Sequence, residues 1–243
     1  MTRILHLDAS ARPGRAGIDA HGSHTRRLTD HFVARWRATR PNDEVIYRDV
    51  GTTPPSPVSH AWIEAAFAPQ SAWQPWMAET LSESDALVDE LVAADILVLG
   101  VPLYNFSAPS AFKAWIDNVI RLGRTVAYDA SNHEAPFTPL LSDRPRAAVL
   151  LSSRGGHSME PGGAYAHMNH LEPSVRTALE FMGISTLHTA AVEHQEDGGE
   201  LLAASVKATL QRTDMIVDDL LQMFPGTVST HSASSTTVSA RQA

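Results

Sequence analysis

The chain has 243 residues, with 19 lysines and arginines against 27 aspartates and glutamates, a formal net charge of −8 and no cysteine. That length suits one domain around one ample core. The acidic balance, without any Lys/Arg cluster, excludes a nucleic-acid backbone or an anionic membrane surface as the main partner. The missing cysteines remove disulfides, a thiolate nucleophile and Cys-based metal sites.

Met1-Thr2-Arg3 leads into a first strand, Arg3-Ile4-Leu5-His6-Leu7-Asp8, too short for the apolar region of a signal peptide. No apolar run approaches membrane-spanning length, so a soluble, cytoplasmic protein is expected. Ala9-Ser10-Ala11-Arg12-Pro13-Gly14 breaks the strand, and a loop with Gly14, Gly17 and Gly22 delivers the chain to Ser23-His24-Thr25. Ser23 is a good N-cap for a helix whose Leu28, Phe32 and Trp36 recur every fourth residue. Strand, hydroxyl-rich loop and helix N-terminus in that order make a candidate phosphate cradle, with Ser10, Ser23 and Thr25 as added donors. A plain N-cap at Ser23 is the simpler alternative. Neither Gly-x-Gly-x-x-Gly nor Gly-Lys-Ser/Thr occurs, so a monophosphate suits the cradle better than a dinucleotide or a nucleoside triphosphate.

Glu44 to Asp49 reads as a second strand, and Thr52 to Ser59, with three prolines, as loop. His60 to Trp76 is aromatic and weakly periodic: a short helix and a flap, forming either a core edge or a covering surface for a subunit contact. Ser82 with Asp85 resembles a capping box for a helix burying Leu87, Val88 and Leu91. Ile96-Leu97-Val98-Leu99-Gly100-Val101-Pro102 then reads as a strand buried on both faces, ending in Leu103-Tyr104-Asn105-Phe106. A helix with Phe112, Trp115, Ile116, Val119 and Ile120 on one face follows. Arg124 to Asp143 reads as irregular or as a small excursion.

Ala147 to Ser152 is the fourth strand, and it closes in Ser153-Arg154-Gly155-Gly156. The two glycines permit close backbone approach, leaving N–H groups for a planar ligand; an ordinary turn is the bland reading. Glu172-Pro173 opens a helix with Val175, Leu179 and Met182, capped by Gly183. Thr186 to Val192 is the fifth strand and Leu201 to Met223 the last helix; residues 225–243 read as a disordered Ser/Thr-rich tail. Alternating strands and helices imply an α/β fold, a three-layer, doubly wound parallel sheet of five strands. In the order 2-1-3-4-5, the turns after strands one, three and four meet in one crevice.

Those three turns, Ser10 with Ser23-His24-Thr25, Pro102-Leu103-Tyr104-Asn105-Phe106, and Ser153-Arg154-Gly155-Gly156, resemble the FMN-dependent NADH-azoreductase/quinone-reductase family of flavodoxin-like enzymes, in order and spacing over about residues 3–222. The resemblance implies FMN as cofactor, with Ser10, Ser23, His24 and Thr25 on the ribityl phosphate. It implies Leu103, Tyr104, Asn105 and Phe106 flanking the isoalloxazine, and Ser153, Arg154, Gly155 and Gly156 bonding its pyrimidine side. It further implies a homodimer with FMN near the interface, NADH or NADPH as donor and a quinone or azo compound as acceptor. Asn105 would orient the flavin, and no catalytic side chain is needed; protons come from solvent, with Tyr128 or His157 as closer sources. Three departures stand out: a longer loop at residues 11–22, His24 where the family often has glutamine, and Val126 in place of the aromatic in the family's Thr-Phe-x-Tyr. The alternative function is an FMN-binding carrier or regulatory module with little turnover. His157, His167 and His170 are close in sequence but lack a carboxylate at ligand spacing, so no metal is expected.

Overall fold

A computed structural model describes residues 1–226. Five parallel strands form its sheet: β1 (Arg3–Asp8), β2 (Glu44–Asp49), β3 (Ile96–Gly100), then β6 (Ala147–Ser153) and β7 (Thr186–Val192), which follow a small pair, β4 (Val126–Tyr128) and β5 (Phe137–Pro139). The spatial order is β2-β1-β3-β6-β7, so with the small pair set aside the parallel strands run 2-1-3-4-5, as the sequence implied. β3 is buried at all five positions, which is why its sequence carries no polar side chain. Around the sheet lie α1 (His24–Thr39), α2 (His60–Phe67), α3 (Pro75–Ala93), α4 (Ser110–Val119), α5 (Leu171–Met182) and α6 (Gly199–Met223).

Alternate residues of each strand feed two separate cores, as period-two side-chain alternation requires. Leu5, Leu7, Leu97, Leu99, Ala148 and Leu150 join the apolar faces of α3, α4 and α5. Ile4, Ile96, Val98, Val149 and Leu151 join Leu28, Phe32 and Trp36 of α1 and Ile216, Val217 and Leu220 of α6. The anticipated cap at Ser23 is present, its hydroxyl accepting from the Arg26 N–H. Gly183 caps α5 in the left-handed region, φ 106°, as its position past Met182 implied.

Two local readings are corrected. Ser82 and Asp85 are not a capping box: α3 begins at Pro75, so both lie inside the helix, and the Ser82 hydroxyl donates back to the Glu79 carbonyl. Proline in the first turn starts this helix without a side-chain cap at Gln74. The segment 124–143 is not wholly irregular, because β4 and β5 pair antiparallel within it and place Tyr128 against Phe137, which in turn meets Phe181 of α5. The aromatic segment divides: Trp62 is in a small core with Ala65, Met77 and Leu81, while Ile63, Phe67 and Trp73 are exposed. Of the tail expected at 225–243, residues 227–243 lie outside the described residues.

Candidate active site

Parallel strands in register deliver their carboxyl ends to one edge: Asp8 pairs with Gly100, and Gly100 with Leu151. Beyond that edge lies a cleft of about 250 Å³ lined by residues from all three anticipated turns. Ser10, Ser23 and His24 come from the first, Leu103 and Tyr104 from the second, Ser153 and Gly155 from the third. Thr25, Asn105, Phe106, Arg154 and Gly156 are adjacent but do not line it. Two lining residues went unread in the sequence, Gln195 and Glu196, while Arg12 and Pro102 were read as turn residues without a ligand role.

The first wall has the features of an anion cradle. His24 and Thr25 open α1, and their N–H groups donate to no acceptor among the described residues. Thr25 is fully buried, its hydroxyl 2.9 Å from Ser23 Oγ. Ser10 Oγ accepts from the Arg12 N–H, which folds the loop back onto the cradle. His24 Nδ1 is buried without a partner, and burial, followed by the charges of Arg27 and Arg12, pulls the imidazole pKa down, so the ring is neutral at neutral pH.

Behind this wall sits Arg26, which sequence reading passed over because one arginine in a helix carries no signal. It is buried, and its guanidinium donates to the Ser10 carbonyl at 2.8 Å and the Arg12 carbonyl at 2.7 Å. The same group grips both oxygens of Asp49 at 2.7 Å. Burial alone would raise the Asp49 pKa, but the Arg26 bonds and the Thr52 N–H outweigh it and hold the carboxylate below its ordinary 3.8.

The second turn is a two-residue hairpin. Tyr104 and Ser107 exchange both backbone hydrogen bonds at 3.0 Å, and Asn105 and Phe106 have φ 46° and 69°. Two positive φ values are the signature of a type I′ turn. Both N–H groups at its tip are without an acceptor among the described residues, while the Phe106 carbonyl takes the His170 N–H at 2.9 Å.

In the third turn, the Gly155 and Gly156 carbonyls are tied to the N–H groups of Glu196 and His194 at 3.0 Å, and both glycine N–H groups stay unpaired among the described residues. A Cβ on Gly155 would lie 2.5 Å from Glu196 Oε1, so this glycine is the floor on which that carboxylate rests. Arg154 turns away from the cleft. It is buried, bonds Glu193 at 2.8 Å and also pairs with Glu172. His157 stacks on His194 with ring centroids 4.8 Å apart, and neither it nor Tyr128 lines the cleft.

Over residues 2–217 the sequence matches a protein family described as having the flavodoxin-like fold. The chain belongs to this flavodoxin-like family. Within the family, it is 42% identical over 213 residues to the FMN-dependent NAD(P)H:quinone oxidoreductase 1 of Pseudomonas aeruginosa, covering 87% of this chain and 96% of that one. It is 34% identical over 220 residues to the FMN-dependent NADH:quinone oxidoreductase 2 of Idiomarina loihiensis, covering 90% and 91%. Among solved structures it is similar in fold to an azoreductase from Bacillus anthracis, with a TM-score of 0.77 and 23% identity over 90% of this chain and all of the other. A flavodoxin-like chain keeps its ligand beyond the carboxyl ends of its strands, which is where this cleft lies.

The residues present fit FMN. The buried Thr25 amide and the buried His24 ring nitrogen stand on one side of a cleft that Arg12 also lines, and the two glycine amides on the other, all four polar groups without partners among the described residues. Among the described residues no group of three or more His, Asp or Glu side chains is placed to hold a metal ion.

Proposed function

We propose that this protein is an FMN-dependent oxidoreductase that takes a hydride from NADH or NADPH and reduces a quinone, with azo compounds as further acceptors. When bound, FMN accepts the hydride and passes on two electrons, so that NAD(P)H, a quinone and one proton become NAD(P)⁺ and a hydroquinone. The observation that carries this reading is the convergence of three turns, about 90 and 50 residues apart in the chain, on one cleft rimmed by unpaired backbone donors.

In this reading Ser10, Ser23, His24 and Thr25, joined by Arg12, hold the phosphate. Leu103, Tyr104, Asn105 and Phe106 border the ring, and the Asn105 amide orients its reacting edge. The Gly155 and Gly156 N–H groups, positioned by Ser153 and Arg154, bond the pyrimidine side. No side chain need act as an acid, since solvent reaches the open side of the cleft. Exposed Tyr104 and Phe106 offer apolar surface at the turn beside the proposed ring, and Ile63, Phe67 and Trp73 are exposed on the aromatic segment, which together support a homodimer with FMN near the contact. The two apolar cores favour reading the fold as a three-layer, doubly wound sandwich spanning residues 1–224. Among the described residues no helix is long and apolar enough to cross a membrane; we place the reaction in the cytoplasm.

The test is the absorption spectrum of the purified protein. Anaerobic NADH or NADPH should bleach a bound-flavin band, and one equivalent of a simple benzoquinone should restore it. Bound FMN that neither nucleotide bleaches would make the protein a carrier instead.

A further inference from the structure

Beside the cleft lies a larger groove of about 730 Å³. Its floor is one face of α6, with Leu202, Val206 and Leu210 a turn apart, and its roof is the long loop at residues 16–22. His24 lines both cavities, and the chain after β7 borders both, its loop giving Gln195 and Glu196 to the cleft and the start of α6 giving Gly199 to the groove. The two spaces therefore adjoin.

Four formally charged side chains besides the histidines line the groove. Two are acids already engaged: Asp214 bonds His31 at 2.8 Å, and Asp19 accepts the Arg15 N–H at 2.7 Å. The other two, Arg27 and Lys207, have no ion pair or side-chain hydrogen bond among the described residues. Gly17 makes room for the first of them: at φ 80°, a Cβ there would lie 3.0 Å from Arg27 Nη1. A free guanidinium and a free ammonium on the wall of an apolar groove select an anion carried on a flat apolar body.

Resting on the reductase reading above, we infer that this groove seats the phosphorylated adenosine half of NADPH, with Arg27 and Lys207 taking the 2′-phosphate. The dinucleotide is too long for the cleft alone. If its nicotinamide is in the cleft, the adenosine must occupy a neighbouring space, and this groove is the one joined to the cleft through His24. Adenine covers Leu202, Val206 and Leu210, and the 2′-phosphate supplies the charge both cations lack. NADH leaves those cations unsatisfied, so the pair sets the preference for NADPH.

The experiment uses the FMN-loaded full chain as wild type, Arg27→Ala and Lys207→Glu. Binding of 2′,5′-ADP and of 5′-AMP is measured by calorimetry, and kcat/KM is measured for both nucleotides, with flavin content reporting that each variant is intact. Wild type should bind 2′,5′-ADP about tenfold or more tighter than 5′-AMP, and each substitution should remove about that factor. NADPH kcat/KM should fall by a similar factor while that for NADH stays within about twofold. Equal binding of the two probes by wild type, or parallel loss with NADH and NADPH in the variants, overturns the assignment. If neither nucleotide bleaches the wild-type flavin, the reductase reading falls on its own, and the calorimetry still decides what the groove recognises.

Discussion

Arg26 and Arg154 stand behind the cleft on either side of β3, 5% and 3% exposed, and each holds one wall in place by a different route. Arg26 lies outside the wall it supports and reaches into it, donating to the carbonyls of Ser10 and Arg12 while Asp49 neutralises it. Arg154 belongs to its wall and reaches out of it, anchoring in Glu172 at the start of α5 and Glu193 just past β7. Glu193 in turn accepts the N–H groups of Ser158 and Met159 at 3.2 Å, so one carboxylate fixes both ends of the glycine turn. The difference teaches that a buried arginine beside an anion site need not be a ligand. Here Arg26 is spent on two backbone carbonyls and Asp49, and Arg154 on two glutamates, so neither guanidinium is free for the proposed ligand.

Removing the guanidinium of Arg26 should do the most damage. Arg26→Met leaves Asp8, whose side chain is only 4% exposed, with the Thr29 and Tyr47 hydroxyls but no guanidinium beside it, and takes the Arg26 bonds from Asp49 and two carbonyls of the cradle. Breaking a buried pair from one side costs about 3–5 kcal/mol, to be read from urea unfolding. Retention of FMN on dialysis should fall at least about tenfold, since the loop bearing Ser10 and Arg12 loses its tie. Arg26→Lys should recover little of either loss, because an ammonium cannot span two carbonyls and a carboxylate. If Arg26→Lys binds FMN like wild type, the guanidinium geometry is not what holds the cradle.

The same pair has a pH signature. Asp49 has its pKa depressed in the fold, so its contribution is fully present above the ordinary 3.8 and is lost as pH falls from there through the lowered folded value. Unfolding curves from pH 5 downward should show this loss in wild type, and Asp49→Asn should flatten that part of the profile.

Arg154→Met comes next, at about 3 kcal/mol. It is placed below Arg26 because Glu172 and Glu193 are 13% and 19% exposed and regain some hydration once unpaired. Adding Glu172→Gln to Arg154→Met should return part of the stability, since the stranded charge is then removed. A double variant as unstable as the sum of the singles would mean the pair is not coupled.

How much of this was readable in advance divides along the same line. β3 and β6 were legible because their fully buried runs contain little besides aliphatic residues, and the turns after them because proline, glycine and amide residues interrupt those runs. The small β4–β5 pair was not, since strands of three residues ending in Pro139 carry no period. The start of α3 was misread because Ser82 and Asp85 satisfy a cap pattern that the helix overrides by starting earlier, at Pro75. Gln195 and Glu196 reach the cleft only because the loop after β7 folds back onto Gly155 and Gly156, a contact across about 40 residues that no local pattern announces. The family resemblance put Arg154 on the pyrimidine side of the ligand, whereas its side chain is engaged by two glutamates. Its true partners lie 18 and 39 positions away.

Gly155→Val tests the wall that Arg154 supports without touching its ion pairs. The new side chain meets the Glu196 carboxylate, the free end of a flexible side chain, so unfolding free energy should change by only about 0.5 kcal/mol. Flavin content should nevertheless drop, because the displaced carboxylate and the added methyls both crowd the space above the turn. Unchanged flavin content would move the ring elsewhere.

The smallest expected effect belongs to Asn105, and it separates side chain from backbone. With φ at 46°, alanine there pays about 1 kcal/mol of left-handed strain that glycine does not, while asparagine tolerates the region. Asn105→Ala therefore mixes two losses, the amide and the turn. Asn105→Gly removes the amide alone and keeps the N–H at the tip of the hairpin where the Tyr104–Ser107 pair has put it. If the side-chain amide orients the flavin edge, Asn105→Gly should slow stopped-flow bleaching by NADPH several-fold while leaving FMN affinity near wild type. If the backbone N–H is the orienting group, Asn105→Gly should bleach like wild type and Asn105→Ala should lag only as far as its turn is loosened. The ordering of the two variants thus identifies which atom of residue 105 faces the reacting edge.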